Sequence, residues 1–164
     1  MVCVRYPVLA RVAVACKQLC EVEIRFARAK AEPKLVPLIV EESIRWTTPV
    51  KHFMRSATAD TEVGGQEIKK GDWMMLCYPS GNRDEDVFDD PFDFKVDRQP
   101  NRHIAFGHGA HICLGQHLAR MEMRALWEEL LPRLEHVELN GDPQRMVANF
   151  VCGPKSVPIK FKMA

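Results

Sequence analysis

Phe106-Gly107-His108-Gly109-Ala110-His111-Ile112-Cys113-Leu114-Gly115 is the stretch on which the reading of this chain turns. It sets one cysteine among glycines, directly ahead of the clearest helical pattern in the sequence. Ala119, Met123, Leu126, Leu130 and Leu134 recur there at helical spacing, Leu118, Met121 and Ala125 widen the stripe, and Pro132 marks its end. A helix N-terminus carries partial positive charge and spare amide donors, and both stabilise a thiolate. Gly109 and Gly115 let the backbone approach something bulky and flat with no side chain in the way. Phe106 offers an aromatic wall, and His111, two residues from the thiol, can donate a hydrogen bond to an acidic group. A thiolate that holds an iron while a large planar ligand lies across the loop needs these features together. The alternative is a small, inert cysteine buried at a helix start.

Upstream of that loop, Pro79 to Asn101 is rich in Pro, Asp, Gly and Asn, a long irregular stretch of the kind that usually has a task in a compact domain. Before it, Lys51 to Tyr78 carries strand signals. Thr61-Glu62-Val63 and Gln66-Glu67-Ile68 flank Gly64-Gly65 as a hairpin, Lys70-Gly71-Asp72 turns the chain again, and Trp73 to Tyr78 reads as a buried strand. Pro33 to Trp46 reads as a helix, with Pro33 and Pro37 near its start and Pro49 beyond its end. The segment up to about Lys30 is helix-capable. Downstream, His136 to Lys162 alternates strand-like pieces with turns at Asn140-Gly141 and Gly153-Pro154. The order is helix, strands, loop, helix, strands, without repeats.

The 164 residues suit one domain with a real core, and 23 basic against 22 acidic residues give a net charge of +1. Such a balance argues against a nucleic-acid binder, and no apolar run approaches the ~18–20 residues of a membrane helix. Six cysteines (Cys3, Cys16, Cys20, Cys77, Cys113, Cys152) in a chain of ordinary core composition point to free thiols in a reducing cytoplasm. Arg5, Pro7, Arg11 and Lys17 break any secretory leader core.

Phe106-x-x-Gly109-x-His111-x-Cys113-x-Gly115 resembles the haem-binding signature of the cytochrome P-450 haem-thiolate monooxygenases. Glu42-Ser43-Ile44-Arg45 resembles the family's Glu-x-x-Arg helix, and Asp97-Arg98 stands where the family order expects it. The likeness runs from about Glu23 to the C-terminus and is nearest to the soluble bacterial, terpineol-hydroxylating type. It is carried there by Arg45-Trp46-Thr47, Pro49-Val50-Lys51, Phe53-Met54-Arg55, Gly115-Gln116-His117-Leu118-Ala119 and Asn149-Phe150-Val151.

The resemblance implies a mixed α and β fold: a mainly helical parent with small β-sheets. Here it would comprise the Glu-x-x-Arg helix, β hairpins, a meander, the cysteine loop, a long helix and a C-terminal β hairpin. It implies haem b (iron protoporphyrin IX) with Cys113 as the axial iron ligand, and Gly107, Gly109 and Gly115 in the binding loop. Phe106 would shield the sulfur, and His111 and Arg55 would hold propionates. Glu42, Arg45 and Arg98 would form a buried structural triad. Locally the first two also read as a surface i,i+3 pair, with Glu41 as a second partner for Arg45. Arg55 reads equally as a solvent-facing strand residue. His103 either approaches a propionate or orders the Pro100-Asn101-Arg102 turn. Val50, Phe53, Phe150 and Val151, with His52, would line the substrate pocket or pack in the core.

Complete members of the family are much longer, so residues 23–164 correspond to their C-terminal portion, with 1–22 a leader of no recognised kind. The distal helix that relays protons to bound oxygen has no counterpart here; Ala57-Thr58-Ala59-Asp60-Thr61 lies in strand-and-turn sequence. The expectation is a truncated monooxygenase, incompetent alone, whose parent hydroxylates a small apolar, terpene-like substrate. Two rivals stand beside it. His108, His111, Cys113 and His117 could hold zinc. Lys95, Arg102, Arg120 and Arg124 could make a non-catalytic docking face for an acidic, ferredoxin-type electron donor, or simply a solvated one.

Overall fold

A computed structural model describes residues 23–164; the expected leader, 1–22, lies outside the described residues. Helix α1 spans Glu23–Ala31. The helix expected from Pro33 opens instead as a separate 3-10 turn, Pro33–Leu35, and α2 runs Val36–Thr47 with Pro37 in its first turn. The two prolines explain the break: each is tolerated where no amide donor is needed, so each begins an element. Thr48 ends α2 in the left-handed region (φ 39°), its N–H donating to Ile44 O at 3.0 Å, and Pro49 prevents continuation.

Four two-stranded antiparallel sheets follow. Strand β1 (His52–Ser56) pairs with β4 (Trp73–Cys77), placing Arg55 opposite Met74. Strands β2 (Thr61–Val63) and β3 (Gln66–Ile68) form the expected hairpin, and Gly64 and Gly65 supply its positive φ angles of 57° and 79°. A helical turn, α3 (Tyr78–Gly81), leads into the irregular stretch. Helix α4 spans Gln116–Arg133, with Pro132 inside its last turn. Strand β5 (Leu134–Leu139) pairs with β8 (Ile159–Met163), and β6 (Gln144–Arg145) with β7 (Pro154–Ser156). The mixed architecture with small sheets is the one expected.

The core lies where α2 and α4 pack with α1 and the irregular stretch: Ile39, Val40, Ile44, Met123 and Trp127 are fully buried, beside Phe94, Val96, Ala105 and Phe106. Two burial expectations change. The buried face of α4 is Ala119, Met123, Trp127 and Leu131, with Leu126 and Leu130 at its margin. Leu118 and Met121 are exposed, and Leu134 is buried from β5. Apolar residues nearly encircle this helix, so spacing leaves the face open and packing against α2 selects it. Strand β4, expected to be buried, exposes Trp73, Met75 and Leu76, because only one strand pairs with it and no layer covers it among the described residues. Tyr78 is buried as the first residue of α3.

Trp127→Ala should lower unfolding free energy by about 3–5 kcal/mol, the usual cost of deleting a buried aromatic. Leu118→Ala, on the exposed side of the same helix, should stay within about 0.5 kcal/mol. Urea denaturation of both variants checks the assignment of the face.

Candidate functional site

Glu42 lies fully buried on α2, surrounded by donors. Arg45 approaches it side-on, with Nε 2.7 Å from Oε2 and Nη2 2.7 Å from Oε1. Arg98 Nε donates to both oxygens at 3.0 and 3.1 Å. Lys95 N (3.0 Å) and Asn101 Nδ2 (3.1 Å) complete the ring of donors. Burial of Arg45 (0%) and Arg98 (5%) makes this an interior cluster, not the surface pair that i,i+3 spacing also allowed. The remaining guanidinium donors reach Asn82 O, Pro91 O and Asp93 O from Arg45, and Asp89 O, Asp90 O and Asp93 O from Arg98. Both guanidinium groups also lie against the Phe88 ring. A long loop without regular structure thus has its carbonyls fastened to two arginines, and those arginines to one carboxylate.

Glu41 does not pair with Arg45. It accepts Arg120 Nε at 2.7 Å, Arg120 Nη2 at 3.0 Å and His103 Nε2 at 3.0 Å. Arg120 also donates to Gln116 Oε1 at 2.8 Å, and its guanidinium carbon sits 4.6 Å from the Phe106 ring centre. His103 Nδ1 accepts the Ala105 N–H at 3.3 Å, so His103 orders its turn by tying it to α2. Burial alone would push the Glu41 carboxyl up, but its bonds to His103 and Arg120 prevail and hold it at about 2. Glu41 therefore clasps α2, the start of α4 and the aromatic wall of the cysteine loop.

The loop itself closes through Cys113 N donating to Phe106 O at 2.8 Å, with a 3-10 turn, Gly109–His111, between. Buried Asn82 supports its approach, accepting Ile104 N–H at 2.7 Å and donating to Thr48 Oγ1 at 2.9 Å. Gly107 has φ +76°, which favours glycine, and a Cβ there would lie a tight 3.2 Å from Tyr78 Oη. Gly109 and Gly115 face open space. The N–H of Gln116, the first residue of α4, donates to the Cys113 carbonyl at 3.2 Å, so the loop spends that amide on the backbone and not on the thiol.

Cys113 is exposed, and around it Ile112, Leu118 and Met121 are exposed while Leu114 has 98% of its surface free. His111 is exposed as well. One soft sulfur donor in an apolar rim with glycines facing outward fits a group that is flat, apolar and needs one ligand from the protein, which is the chemistry of haem. It does not fit zinc. Among the described residues no three His, Cys, Asp or Glu gather as a metal cluster, so His108, His111, Cys113 and His117 form no zinc site.

On the sheet side, half-buried Arg55 lies over Phe53 and donates Nη1 to Met54 O; among the described residues it has no carboxylate partner. An isolated bridge joins Val50 to Val151, flanked by Lys51 N donating to Phe150 O (2.8 Å) and Cys152 N to Pro49 O (2.9 Å). Phe53 and Phe150 meet edge-on at 5.4 Å, with His52 5.8 Å from Phe150. Phe53, Phe150 and Val151 are exposed, so these residues form one surface rather than part of the core. Of the expected docking cations, Lys95 is paired with Asp90 at 2.7 Å, Arg120 is held by Glu41, Arg124 reaches Glu41 only at 4.0 Å, and Arg102 is exposed. Glu41, Asn82 and Gln116 are the site residues that sequence reasoning missed. Glu41, which the sequence offered only as a partner for Arg45, and Asn82 find their partners far along the chain, and Gln116 bonds only to Cys113 and Arg120 nearby, with no local pattern that marks it.

The sequence profile described as Cytochrome P450 matches residues 29–162. Cytochrome P450-terp of Pseudomonas sp is 59% identical over 140 residues, which are 85% of this chain and 33% of that protein. Steroid C26-monooxygenase of Mycolicibacterium smegmatis is 48% identical over 134 residues, covering 80% of this chain and 33% of its own length. Among solved structures, CYP108D1 from Novosphingobium aromaticivorans superimposes with a TM-score of 0.91 at 51% identity, over 96% of this chain and 38% of that one. The chain thus spans about a third of the length of the curated relatives it matches.

Glu42→Gln should destabilise the fold by about 3–5 kcal/mol, because two buried guanidinium groups lose their counter-charge; calorimetry would read this as a depressed melting temperature. For Glu41 the sign follows from its lowered pKa. Its contribution is complete above the usual carboxylate value of 4.5 and is lost as pH falls from there through about 2. Urea midpoints measured from pH 5 to pH 2 should therefore fall more steeply in the parent than in Glu41→Gln.

Proposed function

The chain belongs to the cytochrome P450 family, and we propose that residues 23–164 form the thiolate side of its haem pocket, with Cys113 as the residue whose sulfur would hold the iron. Haem b is the cofactor this family and these structural neighbours imply. When bound, it supplies the iron centre at which one atom of O2 enters a C–H bond and the other leaves as water, with two electrons and two protons from outside.

The observation that carries the proposal is the exposed thiol on a loop tied to itself through Phe106 O and rimmed by exposed Ile112, Leu114 and Leu118. Burying such a rim beneath a flat apolar group gains about 25 cal/mol per Å2 covered. Cys113, ligating as a thiolate, would supply electron density to the iron. Phe106, held between Arg120 and the core, would shield the sulfur on its inner side once the group is bound. His111 and Arg55 would donate hydrogen bonds to the carboxylates at the edge of the group, and among the described residues no acidic side chain competes for Arg55. Gly107, Gly109 and Gly115 keep the loop backbone clear. Glu42, Arg45 and Arg98 hold the loop from behind.

Val50, Phe53, Phe150 and Val151 make the contacts to substrate, which we read as a small apolar molecule of terpene-like character. The exposed apolar surface of Phe53, Phe150 and Val151 supports this, as do relatives named for P450-terp and for steroid C26 oxidation. Electrons come from a redox partner, read here as an acidic ferredoxin type docking on the face of Arg102 and Arg124, with Lys95 and Arg120 partly neutralised by their own carboxylates. No helix among the described residues is long and apolar enough to cross a membrane, and we read the site of action as cytoplasmic from the likeness to bacterial relatives such as P450-terp. We expect no turnover from these residues by themselves, since they wall one face of the cofactor and water reaches the other.

The full chain mixed with haem should give a thiolate-type band in its reduced carbon-monoxide spectrum, and Cys113→Ser should abolish that band while leaving the far-ultraviolet circular dichroism unchanged. A band that survived the substitution would overturn the assignment.

A further inference from the structure

One cavity belongs to none of the groups described so far. It lies between the C-terminal end of α2, the segment after α3 and the β6–β7 hairpin, has a volume of about 230 Å3, and is walled by Trp46, Lys51, Arg83, Arg145, Met146 and Cys152. Three of these are cations, and among the described residues no Asp or Glu lines the cavity. Lys51 Nζ donates to Thr47 O at 3.0 Å and Thr48 O at 2.7 Å. Arg83 Nη2 donates to Trp46 O at 2.9 Å while its guanidinium stacks on the Trp46 ring at 5.1 Å. The free carbonyls at the end of α2 attract positive charge and so anchor both side chains.

That anchoring uses only part of their capacity. An ammonium has three donors and a guanidinium five, so one proton on Lys51 and most of the Arg83 fork stay available. The Arg145 side chain has no hydrogen bond or ion pair among the described residues, and none of the three cations meets a carboxylate there. Burial, then repulsion from Arg45 and to a lesser degree from Arg145, pushes the Arg83 guanidinium below its ordinary value, with Glu42 opposing them only in part.

We propose that this cavity binds a compact oxyanion, the phosphate or carboxylate group of a small metabolite, held by Lys51, Arg83 and Arg145. The guanidinium fork matches the oxygens of such a group, and the space is several times the ~30 Å3 that one water occupies in the liquid. The cavity also shares its wall with the candidate substrate surface. Lys51 and Cys152 bracket the Val50–Val151 bridge with their amide bonds to Phe150 O and Pro49 O, so an anion that draws Lys51 and Arg145 together tightens the ladder presenting Phe53 and Phe150. This coupling rests on the proposed function; the binding does not.

The test uses the whole chain with inorganic phosphate as probe, succinate in a second arm, and chloride of equal ionic strength as baseline. Two readouts are followed: the thermal midpoint, and the rate at which a maleimide labels Cys152, scored residue by residue by mass spectrometry. Phosphate or succinate should raise the midpoint to a plateau and slow Cys152 labelling several-fold, with Cys77 on β4 unaffected. Labelling decides alone if melting is not cooperative. Arg145→Gln should raise the half-saturating anion concentration about tenfold or more, and Arg102→Gln should leave it unchanged. Cys113→Ser should respond as the parent does, which separates this result from the haem assignment. The proposal is overturned if neither anion gives a saturating response beyond chloride, or if Arg145→Gln binds as the parent does.

Discussion

A carboxylate with no water around it, Glu42, sits at the centre of this structure and cannot keep its charge alone. Taking such a group out of water costs several kcal/mol, and the cost is met here by two guanidinium groups, a backbone amide and an asparagine. Each arginine then has donors left over, and these fall on carbonyls of the irregular stretch. Net stability need not be large. What the arrangement supplies is uniqueness: a loop with no ladder of its own has one set of partners, and the cysteine loop that follows inherits a fixed starting point.

Glu41, one residue earlier, extends the same logic toward the thiol. Adjacent positions on a helix point about 100° apart, so the two carboxylates serve different clients. Glu42 holds the loop behind the site, and Glu41 holds Arg120 and His103 against Phe106. Helix α2 thus works as a two-sided bracket. The opposite treatment is given to Cys113 and its neighbours, which are left outside the core with apolar side chains in the open. A fold that fastens the back of a loop so thoroughly and leaves its front bare is arranged to receive something.

Legibility in the sequence followed the range of the forces involved. The two-glycine hairpin was readable because its turn needs positive φ at successive residues, a local demand. The glycine-cysteine loop and the Glu-x-x-Arg pair were readable because their residue types are unusual at that spacing. The inner face of α4 was not: Leu118, Met121, Met123, Leu126, Trp127, Leu130 and Leu131 leave little polar arc, and only contact with α2 distinguishes Trp127 from Leu118. Strand β4 misled for a related reason, since a run of apolar residues looks alike whether or not a layer covers it.

From the residues alone came the element order, the place of the thiol ahead of a long helix, and the likeness to one family, because each depends on chemistry within a few positions or on a motif. The tertiary structure decided which carboxylate meets which arginine. Glu41 could reach Arg45 along the helix yet binds Arg120, seventy-nine positions away, and Arg83 and Arg145 converge on one cavity from separate segments. Charge pairing is settled by distance and burial in three dimensions, and linear separation carries almost no information about either.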